Sequence, residues 1–200
     1  MADLGSLSSK KNHILKVLGS PQVIRGDRSM SRSTAIIVPY PPEEEAEWDE
    51  MAHTLVGDLG AQGIDVSIAN LYDIVLGILD DDGLYDEKVE IERTHGKARL
   101  IQELKGAADI ELDIVPAIEE VIDDEAPQLI FLTGVGACHP FLRTSQLLEK
   151  LDDTIDVPVV VFYPGRYQRK ENGTVPLEIL NIPRGNAGGP FYQGRNVFDM

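Results

Sequence analysis

Two apolar runs separated by about one helix constrain this chain more than any other feature. QLIFLT (Gln128–Thr133) and VPVVVFY (Val157–Tyr163) are short, rich in β-branched residues and uncharged. Between them lie a glycine turn, Gly134–Pro140, and an amphipathic stretch with Phe141, Leu142, Leu147, Leu148 and Leu151 apolar. Strand, turn, helix and strand make a βαβ unit, and its crossover forces the two strands parallel. Parallel strands are covered on both faces, so they read as unbroken apolar runs rather than alternating ones.

The rest of the chain extends that unit. TAIIVPY (Thr34–Tyr40) reads as another buried strand, stopped by Pro41-Pro42. Pro42 and the glutamates after it suit a helix start, since proline fits the first turn and acids favour its positive end. Trp48, Met51, Ala52, Leu55 and Leu59 give that helix one apolar face, and Gly60 and Gly63 close it. Ile64–Leu71 reads as a strand, followed by a helix to Leu79. Residues 84–106 and 112–124 read as two further helices, split near Ala107–Glu111. Leu177–Asn181 adds a short last strand, and residues 6–19 a short N-terminal helix. The expectation is an α/β fold of three layers: a mostly parallel sheet with helices on both faces, P-loop-like or Rossmann-like in topology. The expected organisation is a basic N-terminal helix and linker at 1–32, then one domain over 33–200 with an acidic helical excursion at about 72–126.

Charge is placed unevenly. The chain has 18 basic and 34 acidic residues, a net −16. Residues 1–32 carry +4, 33–72 carry −8, 73–125 carry −12, and 126–200 balance. A surface this negative repels phosphates, which disfavours general DNA binding and leaves only the N-terminal segment, with Lys10, Lys11, Lys16, Arg25, Arg28 and Arg32, or the neutral C-terminal third to approach DNA. The acidic region reads either as a solubilising surface or as a face for a basic partner. The longest apolar stretches fall short of the ~20 residues of a membrane span, and the N-terminus lacks a secretory core. One cysteine, Cys138, excludes a disulfide framework. The expected location is cytoplasmic.

In parallel α/β sheets, ligands bind beyond the carboxyl ends of the strands. Those ends carry Pro39-Tyr40, Asn70-Leu71, Thr133–His139 and Tyr163–Tyr167. LTGVGACHPFLR (Leu132–Arg143) has glycines after a strand, where backbone amides could approach a phosphate. It lacks the G-x-x-x-x-G-K-[ST] and G-x-G-x-x-G patterns, so no nucleotide motif is present. Cys138-His139 sets a thiol beside an imidazole, but neighbours in sequence rarely face each other as nucleophile and base. The four histidines are isolated, without metal-ligand spacing, and Asp80-Asp81-Asp82-Gly83 lacks the spacing of a calcium loop. FYPGRYQRK (Phe162–Lys170) places Arg166 and Arg169 beside two tyrosines, suited to an anion or to a protein interface.

LIFLTGVGACHPFLRTSQLLEKL (Leu129–Leu151) followed by VPVVVFYPGRY (Val157–Tyr167) resembles the BrxB family of BREX phage-defence systems. The matching positions are Thr133, Gly134, Val135, Gly136, Pro140, Phe141, Leu142 and Arg143, then Phe162, Pro164, Gly165 and Tyr167. The match is tight over about forty residues, while the C-terminus carries only partial echoes in Phe191-Tyr192 and Arg195. The resemblance implies a small cytoplasmic component of a complex that blocks phage replication and supports methylation of host DNA. Its implied role is non-catalytic assembly, with the alkaline-phosphatase-like PglZ subunit as partner and the methyltransferase and ATPase subunits as further neighbours. The expected partner- or ligand-binding residues are Thr133, Gly134, Gly136, His139, Arg143, Tyr163, Gly165, Arg166 and Tyr167, with no cofactor or metal. Two rivals stand beside this reading. One is a degenerate nucleotide- or phosphate-binding protein using Gly134–Arg143 and Tyr163–Arg166. The other is a DNA-contacting module acting through the basic N-terminus.

Overall fold

A computed structural model describes residues 6–24, 35–167, 177–182 and 194–200. Five parallel strands form the body of the sheet: β1 (Ile36–Tyr40), β2 (Val66–Asn70), β3 (Leu129–Thr133), β4 (Val159–Tyr167) and β6 (Arg195–Asn196). Their spatial order is β2-β3-β4-β1-β6, and β5 (Leu177–Ile179) pairs antiparallel with the end of β4. Helices cover both faces. The architecture is the expected three-layer α/β fold with a mostly parallel sheet.

Alternation along the strands sorts the core into two halves. Ile36, Val38, Tyr40, Leu129, Phe131, Val160 and Phe162 face one side. There they meet α1 (Leu7–Leu18) through Ile14 and Leu18, and α3 (Glu45–Gly60) through Trp48, Leu55 and Leu59. Ile37, Ala69, Ile130, Leu132, Val159, Val161 and Tyr163 face the other side. They meet α4 (Leu71–Asp81), α7 (Val115–Glu125) and α8 (Thr144–Thr154).

Handedness explains which helix lies where. The chain leaves β1, crosses the sheet to β2 at its edge, and returns through β3 and β4 to lie beside β1. Right-handed crossovers running in opposite directions across a sheet put their helices on opposite faces. So α3 covers one face, while α4, α7 and α8 cover the other. The reversal leaves a crevice at the carboxyl edge, where the loop after β1 and the loop after β3 depart to opposite sides of β4.

Local signals set the helix ends. Ser6 caps α1, its Oγ accepting from Ser9 N at 3.2 Å. Asn70 caps α4, its Oδ1 accepting from Tyr72 N at 3.0 Å. A 3₁₀ turn, Pro42–Glu44, precedes α3. Residues 84–106 are not one helix. Gly96, at φ 78°, breaks them into α5 (Tyr85–His95) and α6 (Lys97–Ala107), because glycine alone enters that backbone region freely. Four short elements have no counterpart in the sequence reading: a four-residue helix, α2 (Pro21–Ile24), the π-helical turn Ile110–Ile114, strand β6, and the 3₁₀ turn Val197–Asp199. The expected helix over 141–151 begins instead at Thr144, after the turn that contains Pro140. The basic residues Arg25, Arg28 and Arg32, together with Arg169, Lys170, Phe191 and Tyr192, lie outside the described residues.

The hairpin of α5 and α6 meets the core only at its base, where Leu104 and Ala107 pack against it. Lys88 is its only buried residue, held by Glu87 at 3.2 Å and Glu103 at 3.7 Å. Val89 is 51% exposed. Phe131, by contrast, is fully buried, its ring 5.2 Å from that of Phe162. Phe131→Ala should therefore lower unfolding free energy by about 3–5 kcal/mol. Val89→Ser should stay within about 0.5 kcal/mol of wild type. Urea titrations followed by circular dichroism check both, and equal costs would refute this division between core and arm.

Candidate functional site

The carboxyl edge of the sheet assembles Tyr40, Glu45, Gly136, Pro164 and Leu180. β1 ends in Tyr40 and α3 begins five residues later, so the phenol and the Glu45 carboxyl come together over the strand ends. The Tyr40 hydroxyl donates a hydrogen bond to Glu45. Its ring stacks on Trp48 at 5.3 Å, and Trp48 Nε1 donates to Glu44 Oε2 at 3.0 Å. Burial, reinforced by the charge of Glu45, pushes the Tyr40 phenol well above its ordinary value. Burial also raises Glu45, against the lowering effect of the Tyr40 hydrogen bond, and Asp49 adds to the rise.

The two glycine-bearing loops meet in this crevice. A Cβ on Gly136 would lie 2.8 Å from Pro164 Cγ, 3.5 Å from Glu45 Oε2 and 3.7 Å from Leu180 Cδ2. What faces Gly136 is thus a carboxylate, where phosphate binding would need a cation. Arg166 is exposed on β4, opposite Glu178 of β5. Gly165 lies so close to the Glu178 carbonyl that a side chain would overlap it, which makes this glycine a requirement of the β4–β5 pairing. Tyr163 is buried in the core on the α8 side. The side chain of Tyr167 lies outside the described residues.

Thr133 ends β3 on the same face as Tyr40. Its Oγ1 is buried and has no hydrogen-bond partner among the described residues. Gly134 follows at φ 68°, and a Cβ there would overlap Asn70 Oδ1, the cap of α4. Cys138 is fully buried, and burial pushes its thiol up to about 12, which leaves no thiolate to act as a nucleophile. His139 is half-buried, its pKa lowered by that burial, and its backbone N–H donates to the Gly136 carbonyl at 3.2 Å. No group of three metal-ligating side chains occurs among the described residues.

Arg143 belongs to a different place. Pro140, Phe141, Leu142 and Arg143 form one wall of a groove of about 750 Å³, continued by Gln146, Glu149 and Lys150 of α8. The other wall is Lys105 at the end of α6 and residues 108–112, the start of the π-helical turn. Lys150 Nζ reaches across to Glu111 at 2.7 Å, and that carboxylate raises the lysine pKa. Leu112 is 78% exposed at the rim. The structure thus divides the expected site residues between a crevice and a groove. Sequence reading had placed neither the Tyr40–Glu45 pair nor the 105–112 wall in a site. The signal for the first was PY-PP-EEE at a strand's carboxyl end; for the second, an apolar residue left outward between two helices.

Two of the three lysines of α1 are engaged within the chain. Lys11 pairs with Asp58 at 2.8 Å, and Lys10 Nζ lies 5.6 Å from the Trp48 ring centroid. No helix among the described residues is long and apolar enough to cross a membrane.

Fold and site together define a doubly wound parallel α/β domain with a helical arm inserted between β2 and β3 and no nucleotide-binding motif at its strand ends. The family model described as "BREX protein BrxB" matches residues 67–185, more than half of the chain, and the chain belongs to the BrxB family. A "BREX protein BrxB" of Bacillus cereus (strain H3081.97) is 29% identical over 104 residues, 51% of this chain and 54% of the relative. One of Escherichia coli O9:H4 (strain HS) is 29% identical over 99 residues, 49% of each. The chain spans about half the length of these curated relatives. No solved structure matches. The family match contains both walls of the groove, whereas Tyr40 and Glu45 lie outside it.

Two variants test the crevice. Gly134→Val combines a left-handed backbone, costing about 1–2 kcal/mol, with loss of the Asn70 cap, worth about 1 kcal/mol. A drop of roughly 2–3 kcal/mol in urea titration is expected, and a wild-type midpoint would refute the constraint. Glu45 has a raised pKa in the folded chain, so its stabilising contribution is present in acid and lost as pH rises through that value. Glu45→Gln keeps an acceptor for the Tyr40 hydroxyl and removes the buried charge. It should melt above wild type at pH 7 and together with it near pH 3, below the ordinary value of 4.5. Coincident melting curves at pH 7 would show that the carboxyl is not destabilised by burial.

Proposed function

We propose that this chain is a cytoplasmic, non-catalytic assembly subunit of a BREX-type antiviral defence complex that docks the alkaline-phosphatase-like PglZ subunit. The observation that carries this reading is the family match over 67–185, which takes in the helical arm and the groove beside it. Three further features support it. The buried Cys138 does not supply a nucleophile. A carboxylate faces Gly136 where a phosphate would need positive charge. Most of the arm lies outside the core, with Leu104 and Ala107 packed against it, which suits a surface kept for contact with other proteins.

The same carboxylate weighs against the phosphate-binding rival, and the engagement of Lys10 and Lys11 within the chain weighs against the DNA-contacting one. The methyltransferase and ATPase subunits remain as further neighbours in the proposed complex.

A tagged copy co-expressed with the other proteins of its locus should elute with the PglZ-type subunit as a stoichiometric complex by chromatography with light scattering. Removing this gene from the locus should abolish phage protection. Full protection in its absence, or elution without any locus protein, would overturn the assembly role.

A further inference from the structure

Helices α5 and α6 carry apolar side chains that nothing in the chain covers. Tyr85 and Val89 are exposed, and Ile91, Leu100 and Ile101 are only half-buried. None of the five packs against either half of the core, which the arm meets through Leu104 and Ala107 at its base. Each helix is 11 residues long, a length that is marginal in water without an apolar partner to pack on. Exposed ion pairs contribute too little to replace that packing.

The arm is also where the acidic half of the chain is balanced. Residues 33–125 hold five basic side chains, Lys88, Arg93, Lys97, Arg99 and Lys105, and all of them lie in the arm. They stand against Asp86, Glu87, Glu90, Glu92 and Glu103, so the arm is neutral. Two copies of a chain of net −16 can meet here without setting like charge against like.

The balance is divided between the helices: α5 is net negative by two charges and α6 net positive by two. Within the chain Lys88 pairs with Glu87 and Glu103, Arg93 with Glu90, and Arg99 with Glu103. The groups left without an ion pair among the described residues are Asp86 and Glu92 on α5, and Lys97 and Lys105 on α6. Spacing puts them beside the uncovered apolar residues. Tyr85, Val89 and Glu92 share one side of α5, with Asp86 three residues before Val89; Lys97, Ile101 and Lys105 recur every fourth residue along α6. Lys88, eight residues before Gly96, reaches Glu103, seven after it, so positions equally far from Gly96 stand level. Asp86 and Lys105 are therefore level near the base of the arm, and Glu92 and Lys97 lie together near its tip.

We propose that the arm pairs with the arm of a second copy of this chain, forming a four-helix bundle about a two-fold axis that runs along it. Each α5 lies against the α6 of the other copy. Asp86 meets Lys105 across the interface, Glu92 meets Lys97, and Val89 and Ile101 pack between them. A two-fold interface must be self-complementary, and opposite, uncommitted charges at matching levels on two antiparallel helices meet that requirement. A purely acidic or purely basic partner segment would suit one helix and be repelled by the other. The pairing needs no other protein of the locus, so it stands or falls separately from the assembly role proposed above.

Sedimentation equilibrium of the full chain over a concentration series up to about 1 mM should show a mass rising toward twice the 22.0 kDa of one chain. Asp86→Lys with Glu92→Lys makes both helices basic, and Lys97→Glu with Lys105→Glu makes both acidic. Each double variant alone should self-associate about 10-fold more weakly or worse, because two-fold symmetry reverses four ion pairs at once. An equimolar mixture of the two should recover wild-type affinity, since every pair is restored with its signs exchanged. General charge repulsion predicts the reverse for Asp86→Lys with Glu92→Lys, which lowers the net negative charge of the chain. All four positions are exposed, so circular dichroism should match wild type; a double variant that loses helix is replaced by Glu92→Lys and Lys97→Glu, measured singly and mixed in the same way. A single-chain mass at every concentration, or a dimer that neither variant weakens, would overturn the pairing and leave the assembly role untouched. Weakening of both without recovery in the mixture would overturn the placing of α5 against α6.

Discussion

The pairing of β1 with β4 decides the shape of this molecule. Ile36 lies beside Val160 and Tyr40 beside Pro164, so the first strand sits next to one of the last to be made. Nothing near β1 in sequence supplies that neighbour. The chain must first cross to the far edge, build β2 and β3, and return. Because both journeys are right-handed and run in opposite directions, helices are delivered to both faces and each half of the core closes. The pairing also juxtaposes two loops that leave in opposite directions, which opens the crevice holding Glu45 and Gly136. Its energetic basis is apolar burial on both faces, at roughly 25 cal/mol per Å². Ile36, Ile37, Val160 and Val161 are all fully buried.

The arm follows a different logic. Its two helices meet each other more than they meet the sheet; the ion pair Lys88–Glu103 crosses between them, while Lys88–Glu87, Arg93–Glu90 and Arg99–Glu103 lie within one helix or the other. Exposed ion pairs contribute about 0–1 kcal/mol each, so the arm adds little to global stability. Its placement matters through its base. There the π-helical turn at Ile110–Ile114 turns Ile114 into the core and Leu112 out to solvent. One extra residue per turn separates those two fates, and such bulges are frequent at functional sites.

Much of the fold was legible because the signals were strong where they were local. AIIVPY, LIFLT and VVVFY are runs that only doubly buried strands require, and the βαβ spacing fixed the class. Legibility failed where a single residue overrode a pattern. Gly96 lies in a stretch that otherwise reads as helix, and a glycine there lowers helicity without announcing a break. Strand β6 is two residues long and exists because Arg195 N–H donates to the Ala35 carbonyl, a contact between opposite ends of the chain. The nine candidate residues were selected as neighbours along the chain, and tertiary structure parted them. Gly134 and Gly165 serve backbone approach, Tyr163 serves the core, and Arg143 faces away into the groove. Tyr40 was legible as the carboxyl end of a strand, but its pairing with Glu45 beside Gly136 depends on strand order, which no local pattern encodes.

Charge placement links crevice and groove. Both lie on a chain whose acids outnumber its bases nearly two to one, so an anionic ligand must find a place where that balance is locally reversed. At Gly136 the balance is not reversed: the facing group is Glu45, held half-buried by Tyr40, and removing it from water has already raised its proton affinity. A phosphate there would add a second anion to a site that resists the first. In the groove the balance is even: Lys105, Arg143 and Lys150 stand against Asp109, Glu111 and Glu149, with Lys150 paired to Glu111. The acidic excess of the chain thus extends into the crevice itself, where a glycine turn that superficially suits a phosphate meets the Glu45 carboxylate instead.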